Sequence, residues 1–560
     1  MKPIKTDVLI VGAGPVGLCA ALMLEKIGLD YLVVERRSSL HMSPQAHVIS
    51  SRTLEICRSV GVSDVPIRAA GPILTDTMNI RWVDRLIGRD LGSFSLGRDP
   101  QSMQDMLSNT PTPTTNLSQD QFEQVLYDHL PQEKVRFGAS WQGFETIEQA
   151  YVSTLTGLDN VQLTVESRYI IGADGAGSIV RKSIGANMVG PDNIQTYVTI
   201  HFNANLREQL KGREALLYWV MEKECEGVFI AHDIDSNWIF MKTASADEQI
   251  DTEDKDKFEG LLRKAIGEDV ELTINSIDVW RMSAQISDAY QSGNVFLVGD
   301  AAHRFPPTGG IGMNTGIQDA HNLVWKLAMV ENGVKPALLE TYEVERKPVA
   351  ETNSTQSLSN AMKMSEVAQS LDADGDKQIS MSDLNAVLTN PNLSARTQTA
   401  IDHQSAHFNM SGLDLGFCYR SNALVEDGIP PQSDNPVSKY LPSTTPGGRM
   451  PHIWLTVGET QQSTLDLINY GRFLVLATDS VENLEAVTNE LRDKGYPVDL
   501  ESIGTDTNLQ PADDSFVDLF NGQVLLIRPD GHIAARLTGA NAAYELGHIV
   551  EDLFPLDYSS

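Results

Sequence analysis

The middle of the sequence contains an acid, a proline pair and several glycines in an order that could hold a flat ring with a polyhydroxyl tail. An apolar run over residues 295–298 predicts a buried strand, which ends at Gly299. Asp300 follows at the strand end, where its carboxylate can accept a hydrogen bond from a hydroxyl group of the tail. Pro307 belongs to a rigid Pro-Pro pair that can lie against the ring. These residue types suit a flavin, whose ring carries a ribityl chain.

A helix is predicted directly after this segment, with an apolar face that includes Ile317 and Val324. Gly310 and Gly312 stand at its start, and backbone amides can approach a ring closely where glycine carries no side chain. The start of a helix also directs its positive end and its free N–H groups toward a ligand. The segment therefore adds backbone donors to the predicted flavin site.

The beginning of the chain supplies a second half of such a site. A strand over residues 7–11 leads directly into the run Gly12-Ala13-Gly14-Pro15-Val16-Gly17, and a helical pattern follows it. A second strand over residues 31–34 ends at Glu35, eighteen residues beyond the last glycine of the run. This order is the dinucleotide-binding pattern, with glycines for the pyrophosphate and an acid for the ribose hydroxyls. An acid at this position favours FAD or NAD over NADP in this pocket.

A third apolar run, over residues 169–172, leads into an Asp-Gly turn at Asp174. With the glycine run and the Gly-Asp turn, it resembles the single-component (class A) flavoprotein aromatic hydroxylases, whose motifs have the same order and spacing across residues 1 to about 355. The chain is similar in particular to the phenol and chlorophenol hydroxylase branch, through Pro44-Gln45-Ala46-His47 and the segments 316–323 and 446–452.

The resemblance implies an α/β fold of three parts. They are a Rossmann-like FAD-binding domain, an antiparallel-sheet substrate domain as in the p-hydroxybenzoate hydroxylase-like fold, and a C-terminal thioredoxin-like domain. Alternating residues such as 197–202, without a helix between neighbouring strands, also favour an antiparallel sheet at the substrate pocket. The predicted boundaries are 1–360 for the FAD-binding domain (about 1–75, 105–185 and 285–360), about 76–104 and 186–284 for the inserted sheet, 361–410 for a helical linker, and 411–560 for the C-terminal domain.

The resemblance also implies a set of cofactor contacts. Glu35, Arg36 and Arg52 would hold the ribose and pyrophosphate, and Gln119 would contact the flavin nucleotide. Arg52 and Gln119 could instead be solvated residues in the first turn of a helix. The full predicted FAD set is Gly12, Gly14, Pro15, Val16, Gly17, Glu35, Arg36, Gln45, Arg52, Gln119, Asp174, Gly299, Asp300, Pro307, Gly310, Gly312, Met313 and Asn314.

The implied activity is the hydroxylation of a phenol-like aromatic ring by O2, with NADPH or NADH as co-substrate and a flavin C4a-hydroperoxide as the oxidant. The sequence contains no second dinucleotide motif, which leaves the choice between NADH and NADPH open. Two alternatives stay open as well. One is a monooxygenase of the same fold that hydroxylates or epoxidises a polyketide-type natural product. The other is a non-catalytic flavin- and calcium-binding module.

His47 is the candidate base that removes the phenolic proton. By the resemblance its segment passes beneath the flavin, and a histidine can exchange a proton near neutral pH. A purely structural histidine that packs on the flavin is the alternative. Pro307 would line the face of the flavin that reacts with oxygen. The predicted catalytic residues are thus His47, Pro307 and Arg281, the last of which would stabilise the phenolate.

Four further residues receive predicted roles near this site. Tyr218 and Trp219 would line the substrate pocket. His303 and His321 lie within motifs of the family and are expected to be structural. The sequence contains no residue pattern that identifies the ring or the position hydroxylated.

An acidic segment over residues 372–383 departs from the family and resembles an EF-hand calcium loop. Lys377 stands where the pattern has glycine, and Asp383 replaces the long bidentate glutamate, so any affinity should be weakened. A solvated acidic linker is the alternative interpretation. The predicted calcium ligands are Asp372, Asp374, Asp376, Gln378 and Asp383.

Composition limits the remaining possibilities. At 560 residues the chain is expected to form two or three domains. Its net charge of −32 repels nucleic acid and anionic lipid, so neither is expected as a partner. The four cysteines are scattered without a CxxC pair, which is typical of a reducing cytoplasm and excludes dithiol chemistry in the C-terminal domain. No apolar stretch approaches a membrane span, and the resemblance implies a homodimer.

Overall fold

The computed structural model describes residues 2–148, 150–245, 248–372, 379–478, 483–504, 507–512, 515–520 and 522–557. A sheet with a parallel core, here called the nucleotide sheet, lies at its centre. Its lateral order is Gln291–Ser292, Val295–Leu297, Tyr169–Gly172, Val8–Val11, Tyr31–Val34 and Val135–Arg136. All neighbours are parallel except the first pair.

The nucleotide sheet forms because its central strands are short apolar runs that are buried on both faces. Every residue of Val8–Val11 and Tyr169–Gly172 is buried, as a parallel sheet covered by helices requires. Helices Pro15–Ile27 and Gly312–Glu331 pack together beside it and share its core. Each apolar side chain buried there contributes about 1.5–3 kcal/mol, so these predicted strands form as the sequence indicates.

A sheet of mostly long strands, here called the pocket sheet, lies beside the nucleotide-binding part. Its lateral order is Thr273–Met282, Gln195–Asn203, Asn237–Ala244, Gly227–Asp233, Leu217–Val220, Asn79–Val83 and Asp90–Ser95. The pairings are antiparallel, as predicted, except that Leu217–Val220 and Asn79–Val83 run parallel. Leu217–Val220 and Asn79–Val83 belong to two separate segments of the chain. No hairpin turn connects these two strands, so none fixes their relative direction.

The two faces of the pocket sheet have different coverings. One face packs against helix Lys255–Ile266 through buried residues such as Phe258 and Leu262. On the other face, the end that contains Trp82 packs against helices Thr341–Leu371, Met381–Thr389 and Pro391–Asp402. The segment predicted as a helical linker is therefore a packed layer of the substrate-binding part. The rest of this face carries partly exposed residues, including Thr199 and His201.

The C-terminal part contains its own sheet, with the order Val498–Ile503, Phe473–Thr478, Gln523–Ile527 and Ile533–Thr538. The first pair is parallel and joined through helix Leu484–Asp493, and the other pairs are antiparallel. Helix Ala542–Leu553 follows the last strand. This βαβ unit followed by a hairpin and a helix agrees with the thioredoxin-like domain that the resemblance implies.

Smaller elements complete the chain. The minor sheets are Ile4–Lys5 with Gln162–Ser167, Ala150–Gly157 and Ala139–Ile147; Met188–Val189 with Gln285–Ser287 and His303–Arg304; Val48–Ile49 with Thr115–Asn116; and Thr460–Ser463 with Trp454–Val457 and Gln510–Pro511. The other α-helices are Ser51–Ser59, Asp64–Ala70, Leu74–Thr77, Pro100–Asn109, Gln119–Asp128, Ile179–Ser183, Ser405–Phe408, Ser411–Leu415 and Ser515–Phe520. Within the described ranges, no helix is long and apolar enough to cross a membrane.

Candidate active site

The glycine run after strand Val8–Val11 has the shape of a dinucleotide cradle. Gly12 has a φ of +111°, and a Cβ there would lie 2.3 Å from the carbonyl oxygen of Ala173. A Cβ at Gly17 would lie 2.0 Å from the carbonyl oxygen of Gly12. A Cβ at Gly14, by contrast, would meet open space within 4 Å. The first and third glycines thus permit close packing, and the second leaves room for a ligand at the helix start.

Glu35 stands beside this cradle, as predicted from its place at the end of Tyr31–Val34. Its Oε2 accepts a hydrogen bond of 3.0 Å from the amide of Ala13, and its Oε1 accepts one of 2.9 Å from the amide of Arg37. The side chain is nearly buried, with 7% of the residue exposed. These two bonds fix the carboxylate next to the glycine run, where a ribose would lie.

The predicted motifs converge on one region. The Asp-Gly segment contacts the glycine run through Ala173, as described above. The Gly-Asp turn joins them through Val16, whose Cγ2 lies 3.0 Å from the position of a Cβ on Gly299 and 2.7 Å from that of a Cβ on Gly316. Three motifs that are far apart in the sequence therefore surround one site.

The Gly-Asp turn is held from below by the buried carboxylate of Asp319. Its Oδ2 accepts hydrogen bonds from the amide of Gly299 (3.1 Å) and from Nε2 of His303 (2.7 Å), and its Oδ1 accepts from Nε of Arg346 (2.8 Å). Asp300 is thereby positioned at the end of strand Val295–Leu297 with its side chain exposed. The prediction that His303 is structural agrees with this bonding.

Protein atoms surround the carboxyl group of Asp300, although the residue is exposed at the surface. Loss of water around it raises the pKa of this carboxyl, and the nearby His303 and Arg304 act in the opposite direction. An exposed acid at the edge of a protein-lined space is suited to accept hydrogen bonds from ligand hydroxyls. Pro307, on the same loop, is also exposed.

The start of helix Gly312–Glu331 supplies backbone donors. The first intrahelical hydrogen bond is donated by Thr315 to the carbonyl of Ile311 (2.8 Å), so the N–H groups of Gly312, Met313 and Asn314 precede the helical ladder. These N–H groups, together with the positive end of the helix, suit the electron-rich edge of a flavin. The cradle, the exposed acid and these donors together fit FAD.

The side chain of Asn314 serves the protein and not a ligand. Its Oδ1 accepts hydrogen bonds from the amide of Ser50 (3.0 Å) and from Oγ1 of Thr53 (2.7 Å). Its Nδ2 donates to the carbonyls of Val48 (3.0 Å) and Gly310 (2.7 Å). The predicted flavin contact of Asn314 is therefore restricted to its backbone. The side chain instead attaches the segment that follows His47 to the loop that precedes helix Gly312–Glu331.

Arg52 is held by two groups of the protein. Its guanidinium donates hydrogen bonds to Glu55 (3.2 Å) and to the carbonyl of Asp530 in the C-terminal part (2.7 Å), and the residue is buried. The structure thus places Arg52 between two parts of the chain, and its burial excludes the solvated alternative. These bonds use only part of the guanidinium, so its contact with the pyrophosphate stays a prediction. Its partner Asp530 is 478 residues away, and no local pattern indicates such a contact.

The other predicted nucleotide contacts have structural roles as well. Gln119 accepts a hydrogen bond from the amide of Ala46 (3.3 Å) and donates to Glu123 (2.8 Å) and, at 3.5 Å, to Gln45. Burial raises the pKa of the Glu123 carboxyl to about 7. Gln119 thus attaches the segment of His47 to its own helix and is partly buried. FAD contacts of Gln119, Gln45 and the exposed Arg36 stay predictions.

Asp174 caps a helix. Its Oδ2 accepts hydrogen bonds from the amides of Ile179 (2.6 Å) and Val180 (3.1 Å) at the start of Ile179–Ser183. Its Oδ1 is buried and has no hydrogen-bond partner within the part of the chain that the structure describes. The capping role is settled by this geometry, and a direct contact with FAD stays a prediction.

His47 lies between the nucleotide-binding part and the pocket sheet. Its carbonyl accepts a hydrogen bond from the amide of Leu117 (2.9 Å), and its Nδ1 lies 3.0 Å from Oδ1 of Asn116. Because an amide oxygen only accepts, Nδ1 carries the proton and Nε2 keeps its lone pair. Burial lowers the pKa of the imidazole, while the bond to Asn116 opposes this effect. His47 is thus a neutral imidazole with a free acceptor, as a general base must be.

Two more histidines of the pocket sheet accompany His47. The ring of His232 lies 5.8 Å from that of His47, centroid to centroid, at an interplanar angle of 80°. His201 accompanies them, and its Nε2 lies 3.0 Å from Oδ1 of Asn237. Burial lowers the pKa of all three histidines, and for His232 the charges of the other two would add to this effect. The sequence analysis did not identify His201 or His232, since strand alternation alone does not reveal which face meets another domain.

The structure does not bring Arg281 to this cluster. Arg281 pairs with Thr196 in the pocket sheet, whereas its neighbour Trp280 stacks on Tyr197 at 4.8 Å. Successive side chains of a strand leave on opposite faces, so Arg281 lies on the face opposite Trp280 and His201. Its predicted role in stabilising a phenolate is therefore contradicted.

The structure corrects the predicted pocket role of Tyr218, whereas that of Trp219 stays a prediction. Tyr218 is fully buried in the core beneath the sheet, and its hydroxyl donates to the carbonyl of Arg213 at 2.9 Å. Trp219 packs in the layer formed with helices such as Met381–Thr389. Neither side chain adjoins the histidines in the described contacts. His321, by contrast, stacks on Tyr470 at 4.9 Å, as expected for a structural residue.

Only part of the acidic segment over residues 372–383 lies within the described residues. Asp374, Asp376 and Gln378 fall outside the described residues. Asp383 accepts hydrogen bonds from the amide (2.8 Å) and hydroxyl (2.5 Å) of Ser380, a capping box at the start of Met381–Thr389. Across the described ranges, no group of His, Cys, Asp and Glu could hold a metal ion. Calcium binding with Asp372 and Asp383 stays a prediction.

A buried ionic network links helix Gly312–Glu331 with the C-terminal part. Glu345 accepts two hydrogen bonds from Arg528 (2.6 and 2.9 Å) and one from Lys326 (2.9 Å). Arg528 also donates to Asp530 at 3.1 and 2.5 Å. The sequence analysis missed these residues. The available signal is the spacing of Asp319, Asn322 and Lys326, polar residues on one face of an otherwise apolar helix.

We expect Glu35→Gln to weaken FAD binding by about tenfold. A carboxylate accepts hydrogen bonds from ribose hydroxyls more strongly than an amide, and charge-assisted bonds contribute about 1.5–3 kcal/mol. The measurement is the FAD dissociation constant from titration of the apoprotein by fluorescence. Glu166→Gln, at a surface pair with Lys5, is the control and should bind FAD like the original protein. Equal affinities of the two variants would contradict the ribose role.

Comparison with known proteins gives consistent matches. Residues 5–357 match the family described as FAD binding domain, and residues 443–555 match the family described as aromatic-ring hydroxylase, C-terminal. A 2,4-dichlorophenol 6-monooxygenase of Cupriavidus pinatubonensis is 30% identical over 97% of this chain and 95% of its own. A putative polyketide hydroxylase of Streptomyces halstedii is 28% identical over 95% and 93%.

Solved structures show the same likeness. The flavin-dependent monooxygenase PieE, in complex with FAD and substrate, is 30% identical and covers 98% of this chain and 99% of its own, with a TM-score of 0.92. This similarity extends over both the nucleotide-binding and the C-terminal parts, so the whole architecture is shared.

Proposed function

The chain belongs to the family with the FAD binding domain and carries the C-terminal domain of aromatic-ring hydroxylases, and from this premise we propose that its pocket hydroxylates a phenol-like ring next to His47. The protein is an FAD-dependent aromatic-ring monooxygenase that uses O2, with NADPH or NADH as the reductant. When bound, FAD supplies the transfer of electrons to O2. The residues of the chain bind and orient the reactants.

The observation that carries the proposal is the setting of His47. Its Nε2 keeps a lone pair because Nδ1 donates to Asn116, and it lies at the junction of the flavin-binding part and the pocket sheet. A substrate hydroxyl at this nitrogen would lose its proton to Nε2, and the electron pair would stay on oxygen and enrich the ring. Such general-base catalysis typically contributes about a hundred- to ten-thousand-fold.

The remaining cradle residues have proposed roles that the resemblance implies and that agree with their positions. Asp300 accepts hydrogen bonds from the ribityl hydroxyls, and Pro307 lines the face of the flavin where oxygen reacts. The amides of Gly312 and Met313 donate to the pyrimidine edge of the ring, where negative charge develops on reduction. Glu35 holds the ribose.

A polyketide-type natural product is the second candidate substrate. It is favoured by the similarity to the putative polyketide hydroxylase of Streptomyces halstedii, which extends over nearly the whole chain. The phenol-like ring is the first candidate because the chain resembles the phenol and chlorophenol hydroxylase branch in its motifs, and the 2,4-dichlorophenol 6-monooxygenase matches 97% of the chain at 30% identity. Both candidates offer a ring hydroxyl to His47, so the chemistry proposed for this residue is the same.

The test is the oxidation of NADPH and of NADH by the purified protein with oxygen, across a panel of phenols and polycyclic hydroxyaromatics. We expect at least one phenol to stimulate oxidation and to give a product with one added oxygen per reductant consumed. Consumption without any hydroxylated product across the panel would contradict the proposed substrate class.

The assembly and the location follow as further proposals. The resemblance implies a homodimer, which sedimentation of the purified protein checks. Cytoplasmic location is supported by the four cysteines Cys19, Cys57, Cys225 and Cys418, which are all free thiols.

A further inference from the structure

We propose that His232 is a further substrate-contacting residue, which donates a hydrogen bond to the same ring hydroxyl that His47 deprotonates, and that this pair selects an uncharged phenol over an aromatic acid. The inference rests on the proposed function and names a second residue and the charge of the substrate. No sequence motif includes His232, and its role follows from geometry alone.

His232 lies at an irregularity of the pocket sheet. Ala231 pairs with Trp238 and Asp233 with Asn237, so His232 is an extra residue in its strand, a β-bulge. Bulges re-aim a side chain and are frequent beside active sites. Phe229 and Ala231 face the core beneath the sheet, so the alternation of the strand directs the imidazole of His232 to the opposite face, toward His47. The bulge leaves His232 without a paired residue on the neighbouring strand.

The imidazole of His232 has an unsatisfied nitrogen. The residue is 7% exposed, and its Nε2 is buried without a hydrogen-bond partner in the described part of the protein. A buried polar atom left in this state costs about 1–3 kcal/mol, and most such atoms are paired. The ring of His47 lies 5.8 Å away between centroids, so the unpaired atom belongs to a ring that neighbours the proposed base. A ligand atom that occupies this space would satisfy it.

The two imidazoles are complementary to a hydroxyl group. Nε2 of His47 is an acceptor, since its Nδ1 donates to Asn116. Nε2 of His232 can carry the proton of its neutral ring and donate. A phenolic hydroxyl both donates and accepts, so it can satisfy both nitrogens at once. When the O–H bond breaks, the proton forms an N–H bond on His47 and the electron pair stays on oxygen, where the donor on His232 stabilises it.

The pocket sheet offers no fixed positive charge beside this pair. Its four strands nearest the histidines contain two cationic residues, Lys242 and Arg281, over the ranges 195–203, 227–233, 237–244 and 273–282. Arg281 lies on the opposite face, and Lys242 alternates with Met241, which places it there too. Because a buried carboxylate requires a cationic partner, this wall disfavours a ring that carries a carboxylate. The site therefore favours a phenol without an acid group.

The experiment compares His232→Leu with the control His129→Leu, which makes the same change at the exposed residue that follows helix Gln119–Asp128. The FAD-loaded proteins are titrated with two matched pairs, 2,4-dichlorophenol with 1,3-dichlorobenzene and 2-naphthol with naphthalene. The change in flavin absorbance gives each dissociation constant. We expect His232→Leu to bind the phenols three- to tenfold more weakly, the effect of one lost hydrogen bond. Affinity for the hydroxyl-free partners should not fall.

Three further measurements complete the test. His232→Gln, whose amide N–H can replace the donor, should recover part of the affinity for phenols. The original protein should bind 4-hydroxybenzoate more weakly than either phenol. FAD content and melting temperature of each variant verify folding, and a variant that loses FAD is replaced by His232→Phe, which retains a planar ring of similar shape.

The outcomes separate this inference from the proposed function. If His232→Leu binds phenols as tightly as the original protein, or loses affinity equally for both members of each pair, the contact is absent. If the original protein binds neither phenol, or prefers 4-hydroxybenzoate, the selection of an uncharged phenol is overturned. Hydroxylation of a phenol by the original protein together with an unaffected His232→Leu would overturn the contact alone and leave the proposed function standing.

Discussion

Replacement of His47 by alanine is expected to slow ring hydroxylation by about a hundred- to ten-thousand-fold, the usual loss when a general base is removed. The variant should still hold FAD and still oxidise NADPH or NADH, because no cradle residue changes. Oxygen should then end as hydrogen peroxide, since a phenol that keeps its proton is a poor nucleophile. Product, peroxide and reductant are measured together in one stopped assay.

The matched control for this variant is Asn116→Ala, which keeps the imidazole but removes the acceptor at its Nδ1. Its loss should be smaller than that of His47→Ala, and more acidic phenols should partly rescue the alanine variant. Tight coupling of reductant to product in His47→Ala would contradict the assignment of the base. It would direct attention to His232 as the residue that receives the proton.

The pH dependence of the original protein follows from the same residue. Burial lowers the pKa of His47 below its usual value of 6.5, so the neutral form that acts as base persists to lower pH. Activity controlled by this group should be constant above pH 7 and decline only as the pH falls through the lowered pKa. This acid limb should disappear from the residual activity of His47→Ala.

Replacement of Arg528 by methionine is expected to lower the free energy of unfolding by about 3–5 kcal/mol, the cost of removing one partner from a buried ion pair. The change leaves Glu345 with Lys326, while Asp530 loses its cation in a fully buried setting. Urea unfolding, followed by circular dichroism, gives the difference. Arg536→Met, at the partly exposed pair with Asp427, is the control and should cost less than about 1 kcal/mol.

The control for charge balance is the double variant Arg528→Met with Asp530→Asn, which removes the uncompensated carboxylate. It should recover part of the lost stability, because a neutral amide costs less to bury than an unpaired charge. A loss for Arg528→Met no larger than for Arg536→Met would show that the buried network contributes little. Such a result would show that apolar contacts, and not ion pairs, stabilise the junction between helix Gly312–Glu331 and the C-terminal part.

The parts of the site that were predictable are those encoded by local spacing. The glycine run, Glu35 and the Gly-Asp turn each follow a short apolar strand, and parallel strands bring their ends to one edge of a sheet. Their convergence therefore needs only the order of the strands. The fold class was accessible for the same reason, because alternation and apolar runs specify the kind of sheet.

The parts that were not predictable depend on long-range contacts or on which face of a strand a side chain occupies. Arg281 was assigned to the pocket, but it is one residue from Trp280, and one residue reverses the face. Tyr218 was misplaced in the same way. His232 lies next to His47 through a contact between distant parts of the chain, which no local pattern indicates. Arg52 depends on a partner in the C-terminal part of the chain.

The contact between Arg52 and Asp530 has a consequence for the order of events during synthesis. The two residues are separated by 478 positions, and a ribosome adds about 5–20 residues per second, so roughly half a minute to one and a half minutes pass between them. Helix Ser51–Ser59, which follows directly on the segment of His47, thus lacks its last partner until the chain is nearly complete. Nascent chains that end before Asp530 have an unfinished site, and mature enzyme appears only around release from the ribosome.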